Sequence, residues 1–521
     1  MAQPPEKRHR QRRQDEESSG TITWKRGQAY FSAGGGTLQV PMSMHRENRE
    51  KLLAAFRRRS EVPQDTAIFM HGGSELPVYD TDTNFDFRQE SNFQYLFGVK
   101  EPDCKASIRV SDGRTVLFIP KLDKSYAAWM GPIKPPAWFQ RAYEVDQVEY
   151  DEDISKVLSA ELNVGALAVI RGTNRDSGEP FPEPKLPDMG TLAVSNEASR
   201  ALWEELSEAR VVKNAHELRI LEFANEVSSQ AHVELMRTLK PGIREYVVEA
   251  SFRYNAALRG CPRVGYTCIC PAAGRNAYLH YGHAAEPNPE RIEPGDMVLR
   301  DLGAEYHCYT SDVTCSYPAS GVFTEPQRIV YEAVWEAVLA VETMIRPGIN
   351  YKDMHRLAQR VLLAEMCKAG LFQGDVEEMM KVNLMHHFMF HGLGHSLGLD
   401  VHDVGGYPVG VNRKDDSSIQ ENLRLGRELK ENMVITVEPG FYFADFLIDE
   451  ALEDPGKARF INRYRLDELR VVGGVRIEDD VVITATGCRV LTTVPRTVMD
   501  IEETMAGQPW NCSATSQRIY G

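Results

Sequence analysis

The sequence predicts an α/β protein of two domains, the second of them pseudo-symmetric. Three observations carry this expectation. The chain has 521 residues, too long for one compact core. Strand and helix signals alternate to about residue 200, as a mixed α/β domain requires. Farther on, two helical segments run into matching punctuation, Leu239-Lys-Pro-Gly-Ile243 and Ile345-Arg-Pro-Gly-Ile349, and another helical segment follows each. A helix, a Pro-Gly stop and a helix, met twice, read as an internal duplication with a site between its halves.

Residues 1–40 are polar, with Lys7, Arg8, Arg10, Arg12 and Arg13 ahead of an Asp/Glu/Ser/Gly stretch. They predict a solvated, disordered tail; a targeting or docking arm is the alternative. The first folded domain is placed at 41–205. It opens on a helix-like segment, RENREKLLAAFRRR, followed by short apolar runs such as TAIFM and VLFIP. Asp112-Gly113 separates two such runs and predicts a hairpin turn. No glycine-rich loop follows a strand there, so nucleotide binding has no support. The second domain is placed at 206–505. Asn214 with Glu217 predicts a capping pair ahead of a helix carrying Leu218, Leu221, Val227 and Leu235. Residues 506–521 are left as a C-terminal tail.

Composition narrows the classes of function. A formal net charge of −15 disfavours nucleic acid as a partner. No apolar run approaches the roughly 18 residues of a spanning helix, and no apolar stretch follows the basic N-terminus, so neither a membrane protein nor a secretory signal is expected. The nine cysteines are scattered and odd in number, which predicts free thiols in a reducing, cytoplasmic setting. Cys268 and Cys270 stand too close for zinc-knuckle spacing and read as strand residues.

The densest chemistry lies between His386 and Pro408, HHFMFHGLGHSLGLDVHDVGGYP. His386, His387, His391, His395 and His402 fall within it, interleaved with Gly392, Gly394 and Gly398. Imidazole is a common metal ligand and proton shuttle, and glycine admits close backbone approach. Carboxylates stand at apolar strand ends elsewhere. Asp301 ends MVLRD, Asp312 opens DVTCSYP, Glu438 follows MVITV, and Glu478 lies in GGVRIEDDVVIT. Acids on buried strands are costly unless paired or coordinated. Four of them beside a histidine-rich loop predict a site for two divalent cations, which four carboxylates would balance. Oxygen-rich ligation with an imidazole suits Mn²⁺ foremost, with Co²⁺ or Zn²⁺ as alternatives. Two such ions sharing a water supply a nucleophile for hydrolysis.

In order and spacing, LHYGH, the pair Asp301/Asp312, HGLGHSLGLDVHDVGGYP, TVEPG and VRIE resemble the dinuclear metallopeptidases of the pita-bread fold. That family holds methionine aminopeptidase, aminopeptidase P, prolidase and the metal-free creatinase. FRQES, AAWMG, DVHDVGGYP and the long segment between Glu438 and Glu478 look most like its prolidase branch. The resemblance covers roughly residues 40–505. It implies a creatinase/aminopeptidase P-like N-terminal domain, a pita-bread catalytic domain and metal-dependent hydrolysis of dipeptides ending in proline.

The resemblance also implies roles. Asp301, Asp312, His395, Glu438 and Glu478 would be the metal ligands, with Asp312 spanning both ions and Glu438 doubling as general acid/base. His280, His391 and His402 would hold the substrate and stabilise the tetrahedral intermediate. Arg424 would receive the dipeptide's carboxylate, and Tyr266 and Arg476 would stand near the metals. His283, His386 and His387 are expected to be structural. The family pattern further implies a homodimer in which Trp129 reaches the partner's site; a packed aromatic is the alternative there. Ala285-Glu286 departs from the pattern by adding an acid near the expected site mouth. Aminopeptidase P, acting on longer peptides, is the nearest rival reading, and Arg424 counts against it. Methionine aminopeptidase fits less well, since its usual form lacks the large N-terminal domain. A catalytically dead scaffold is a third, disfavoured because all five ligands are present.

Overall fold

A computed structural model describes residues 16–174, 177–181, 186, 189, 192–283, 287–408, 410–411, 413 and 423–521. The chain divides into two compact units at Arg210 and Val211.

The first unit begins with strands β1 (Glu16–Ser19), β2 (Ile22–Lys25), β3 (Gln28–Phe31) and β4 (Val40–Pro41), paired antiparallel in that order. This corrects the expectation of a solvated tail over 1–40, of which residues 1–15 lie outside the described residues. Period-two alternation outweighs the flanking charge: Ile22 and Trp24, Ala29 and Phe31 are buried in turn. Arg26 and Gly27, at φ of 50° and 85°, make the tight reversal between β2 and β3. Helix α1 (Ser43–Phe56) follows, burying Leu52, Leu53 and Phe56.

A six-stranded mixed sheet completes this unit, built from β5 (Thr66–His71), β6 (Lys105–Arg109), β7 (Thr115–Ile119), β8 (Gln147–Tyr150), β9 (Ala166–Ala168) and β10 (Ala193–Val194) in the order β10-β9-β5-β6-β7-β8. The predicted turn at Asp112-Gly113 joins β6 to β7. Gly113 has φ of 83° and its N–H donates to Arg109 O at 2.8 Å.

In the second unit the duplication is visible in the hydrogen bonds. Helices α2 (Ala215–Thr238) and α3 (Glu245–Leu258) flank the first Pro-Gly stop, and α4 (Glu325–Met344) and α5 (Tyr351–Lys368) flank the second. Asn214 caps α2 with the expected capping box to Glu217. Gly242 and Gly348 both take positive φ, 95° and 85°. Their N–H groups donate to Ile292 O at 2.7 Å and Leu429 O at 2.9 Å. Each acceptor residue then leads into a buried strand, β12 (Met297–Asp301) or β16 (Val434–Val437). Asp301 stands as far beyond Ile292 as Glu438 stands beyond Leu429. The two acids are therefore equivalent positions of the two halves.

Short strands carry the remaining acids. Between β12 and β15 (Thr314–Pro318), the chain makes β13 (Ala304–Tyr306) and β14 (Tyr309–Thr310), with β11 (Arg263–Val264) pairing beside β13. Strand β12 pairs antiparallel with β15, matching Asp301 to Thr314. Asp312 thus precedes its strand rather than opening it. Glu478 sits between β18 (Gly474–Arg476) and β19 (Asp479–Ile483) and bridges to Thr314, while β17 (Gly440–Tyr442) pairs with β18 and β16 with β19. Residues 506–521 are not a loose tail. Strand β21 (Ile519–Tyr520) completes the open edge of β20 (Cys488–Val490), and Trp510 Nε1 donates to Thr493 O at 2.6 Å. A two-residue strand has no periodicity to read; only the waiting edge of β20 makes it one. No helix among the described residues is long and apolar enough to cross a membrane.

Candidate active site

Four carboxylates converge where the two halves meet. Asp301 and Asp312 come from the β12–β15 side, Glu438 and Glu478 from the ends of β16 and β18. Atoms of Asp312, His395 and Glu478 lie within 4.8 Å of one another. His395 Nε2 stands 3.3 Å from Asp312 Oδ2 and 3.6 Å from Glu438 Oε1. All but Glu438 are buried, and Glu438's side chain is 17% exposed. Thr314 Oγ1 donates to Glu478 Oε2 at 2.7 Å, and Arg476 Nη2 donates to Asp301 Oδ2 at 2.6 Å. Burial and the neighbouring acids push Asp312 and Glu478 well above the usual carboxylate range. Burial raises Glu438 to about 7, with His395 opposing it.

The histidine loop is held with its lone pair facing inward. His395 Nδ1 lies 3.0 Å from Ser396 O, so Nδ1–H is the donor and Nε2 carries a lone pair. That lone pair faces two carboxylate oxygens, at 3.3 and 3.6 Å, an arrangement that calls for a proton or a metal cation between them. Asp301 Oδ1, buried and without a hydrogen-bond partner, is a second unmet acceptor. The donor set therefore fits divalent metal, and the chain's own hydrogen bonds pre-orient it. Backbone pairing sets the loop: His395 N donates to Thr436 Oγ1 and Thr436 N to His395 O. A Cβ at Gly394 would lie 2.3 Å from Thr436 O and 2.7 Å from Tyr351 Oη, so only glycine admits this approach. The buried ion pair of Lys213 with Asp403, at 3.1 Å, anchors the loop beside His402.

His391 works through a residue the sequence did not single out. Its Nδ1–H donates to Gly392 O at 2.8 Å, and its Nε2 accepts from Tyr442 Oη at 2.9 Å. Arg476 Nη1 donates to the same Tyr442 oxygen at 3.1 Å. Burial, then Arg476, lowers His391 to about 3, so the ring stays neutral. A line of contacts thus runs from Asp301 through Arg476 and Tyr442 to His391. Tyr442 lies on a three-residue strand after TVEPG, and only that proximity hinted at it. Thr314 and Thr436 lie within DVTCSYP and TVEPG, but nothing in those stretches marked their hydroxyls.

The acids open into a cavity lined by Tyr266, His280, His391, His395, His402, Arg424 and Arg476, with Leu279 and Phe390 as apolar wall. All eleven predicted site residues line this cavity. So does His283, which the sequence assigned to structure. His386 and His387 do not line it; His387 Nδ1 contacts Leu447 O at 2.9 Å. Ala285 and Glu286 lie outside the described residues.

Comparison with known proteins gives this arrangement a lineage. Residues 219–485 match the metallopeptidase family M24, and residues 45–169 match the aminopeptidase P N-terminal domain. The chain is 46% identical to the Xaa-Pro dipeptidase of Mus musculus over 92% of its own length and 96% of that protein's. Against the Xaa-Pro dipeptidase of Homo sapiens the identity is 45% over the same shares. Among solved structures, an aminopeptidase PepP from Pseudomonas aeruginosa superposes with a TM-score of 0.72 at 30% identity, covering 90% of this chain and 98% of that one.

Proposed function

The chain belongs to metallopeptidase family M24, and from that premise we propose that it hydrolyses Xaa-Pro dipeptides to a free amino acid and proline. The observation that carries the reading is a carboxylate–histidine cluster opening into a cavity that also holds Arg424. The Arg424 guanidinium, after burial, is among the causes lowering His280, His391, His395 and His402, so its charge is felt across the cavity. A guanidinium fork is the natural receptor for a terminal carboxylate, and a receptor at that end admits a dipeptide while excluding a longer chain. The full-length similarity to Xaa-Pro dipeptidases supports the same assignment.

Asp301, Asp312, His395, Glu438 and Glu478 hold two divalent ions, with Mn²⁺ favoured by an oxygen-rich set that lacks thiolate, and Co²⁺ or Zn²⁺ next. Such ions supply Lewis acidity toward a carbonyl and lower the pKa of water. The remaining steps belong to the chain. Glu438 takes the proton of the attacking water and returns it to the proline nitrogen as that amine leaves. Neutral His391, fixed by Tyr442, and His402 and His280 line the space where the tetrahedral oxygens form. An Xaa-Pro amide has no N–H, so the substrate is gripped by its ends and its ring rather than by backbone pairing. Arg476 holds Asp301 in place, and Tyr266 lines the same cavity.

Two chains pair as a homodimer, for which the support is apolar surface on the first unit: Trp129 is 85% exposed and Met130 64%. Trp129 then reaches the partner's site. A cytoplasmic setting is supported by nine free cysteines.

Proline release from Gly-Pro, and release of the N-terminal residue from an Xaa-Pro-Yaa peptide, with stripped and Mn²⁺-reloaded protein, test the reading. Cleavage of the dipeptide alone, lost about a thousandfold or more in Glu438→Gln and weakened in KM in Arg424→Ala, is expected. Cleavage of the longer peptide with Arg424 immaterial would shift the assignment to an aminopeptidase P activity, the activity named for the solved neighbours.

A further inference from the structure

Arg518 lies outside the cavity, yet its charge is spent between two fully buried acids. Its Nη2 donates to Glu342 Oε1 at 2.9 Å and to Asp479 Oδ2 at 2.7 Å, and its Nε to Glu342 Oε2 at 3.3 Å. Glu342 comes from α4, and Asp479 opens β19 directly after Glu478. The other Asp479 oxygen accepts from Arg496, through Nη2 at 2.7 Å and Nε at 3.2 Å. Arg496 also donates to the backbone oxygens of Thr314, at 2.8 Å, and of Glu478. Two acids and two guanidiniums therefore clamp β15 to β19 where Thr314 grips Glu478.

Arg518 is brought there by the segment that leads into β21. Val490 N donates to Arg518 O at 2.9 Å, and Arg489 Nη1 donates to Gln517 Oε1 at 2.6 Å. At Gly487 a Cβ would lie 1.9 Å from Tyr520 O, so the strand packs against bare backbone. Anchoring a surface segment needs no fully buried acids; two of them, each costly alone, point to a purpose at the strand they brace.

We infer that Arg518 is a positioning residue for the metal cluster: through Asp479 and Arg496 it fixes the backbone and carboxylate of Glu478. This rests on the reading of Glu478 as a ligand. Groups that orient a ligand without touching the ion alter metal affinity about tenfold to a hundredfold. Without Arg518, Glu342 loses its cation and Asp479 draws on Arg496 alone, loosening the hold on Glu478.

The test is calorimetric titration of the stripped full chain with Mn²⁺, alongside thermal midpoints and the split of KM from kcat. Arg518→Met is expected to weaken Mn²⁺ binding about tenfold to a hundredfold and to lower kcat more than it raises KM, with Arg518→Lys recovering part of both. Gln517→Ala loosens the same segment but spares the clamp, and keeps the parent affinity. Should Arg518→Met not fold, the double variant with Glu342→Met orphans no acid on α4 and carries the same expectation. Parent affinity in the Arg518 variants, with Glu478→Gln weakened, overturns the inference and leaves the ligand reading standing. Parent affinity in Glu478→Gln overturns both. Equal loss in Gln517→Ala also overturns it, reducing Arg518 to a strand anchor.

Discussion

At the scale of single residues, the site depends on neutral imidazoles held in defined tautomers. His395 gives its N–H to Ser396 O and His391 to Gly392 O, so both Nε2 lone pairs are committed by backbone carbonyls. Tyr442 turns that commitment into contact, donating to His391 while accepting from Arg476. Removing its hydroxyl leaves a buried acceptor unmet, at a cost of about 1–3 kcal/mol. Tyr442→Phe should therefore lower kcat tenfold or more on Gly-Pro with little change in KM, and steady-state kinetics on the folded variant would show it. An unchanged kcat would remove Tyr442 from the machinery. The acids Asp301, Asp312, Glu438 and Glu478 were legible in the sequence because a charged residue at an apolar strand end is conspicuous. Tyr442 was not, because one tyrosine among 20 is marked only by where its hydroxyl arrives.

At the scale of elements, the site is made by short strands and by backbone that comes too close for side chains. Gly394 sits against Thr436 O and Tyr351 Oη, and Tyr351 Oη itself donates to Thr436 O at 2.6 Å. Gly394→Ala must push the loop off β16, carrying His395 with it. Overpacking of this kind costs about 1–3 kcal/mol, so the thermal midpoint should fall and Mn²⁺ affinity with it. Retained affinity would mean that the loop relaxes without moving His395. The Pro-Gly repeat forecast a duplicated domain, and the matching donations of Gly242 and Gly348 show why. Each fixes the exit of a helix against the approach to a buried strand, so each half delivers an acid at the same distance along the chain. The N-terminal sheet at 16–41 escaped notice because charge and glycine masked a four-residue alternation.

At the scale of the molecule, the raised acids of the second unit and a depressed histidine of the first respond to pH in opposite directions. In the second, burial raises Asp312, Glu478 and Glu438, the last from 4.5 to about 7. An acid with a raised folded-state pKa contributes stability that is fully present below its unfolded pKa and lost as pH rises through the folded one. Chelated protein should thus lose ground from pH 4.5 towards 7 relative to Mn²⁺-loaded protein, and the gap between their thermal midpoints should widen over that window. A constant gap would contradict it. In the first unit, burial lowers His45 from 6.5 to about 3 while its Nδ1–H donates to Tyr95 O. A depressed histidine contributes stability present above its unfolded pKa and lost as pH falls, here from 6.5 towards 3. His45→Gln should flatten the acid limb of the stability profile by up to about 1.4 kcal/mol per pH unit; an unaltered slope would exclude His45 as its source.

The sequence by itself determined the α/β class, the duplication, the acids and histidines of the site and the turn at Asp112-Gly113. Each is written locally, as a strand ending in a charge, a Pro-Gly stop or a run of imidazoles. Only the tertiary structure decided that His283 lines the cavity, that Tyr442 joins His391 to Arg476, and that Arg518 reaches Asp479. Those contacts close between residues far apart in the chain. They depend on which strand edge is open and which side chains meet across it, and no local pattern records that.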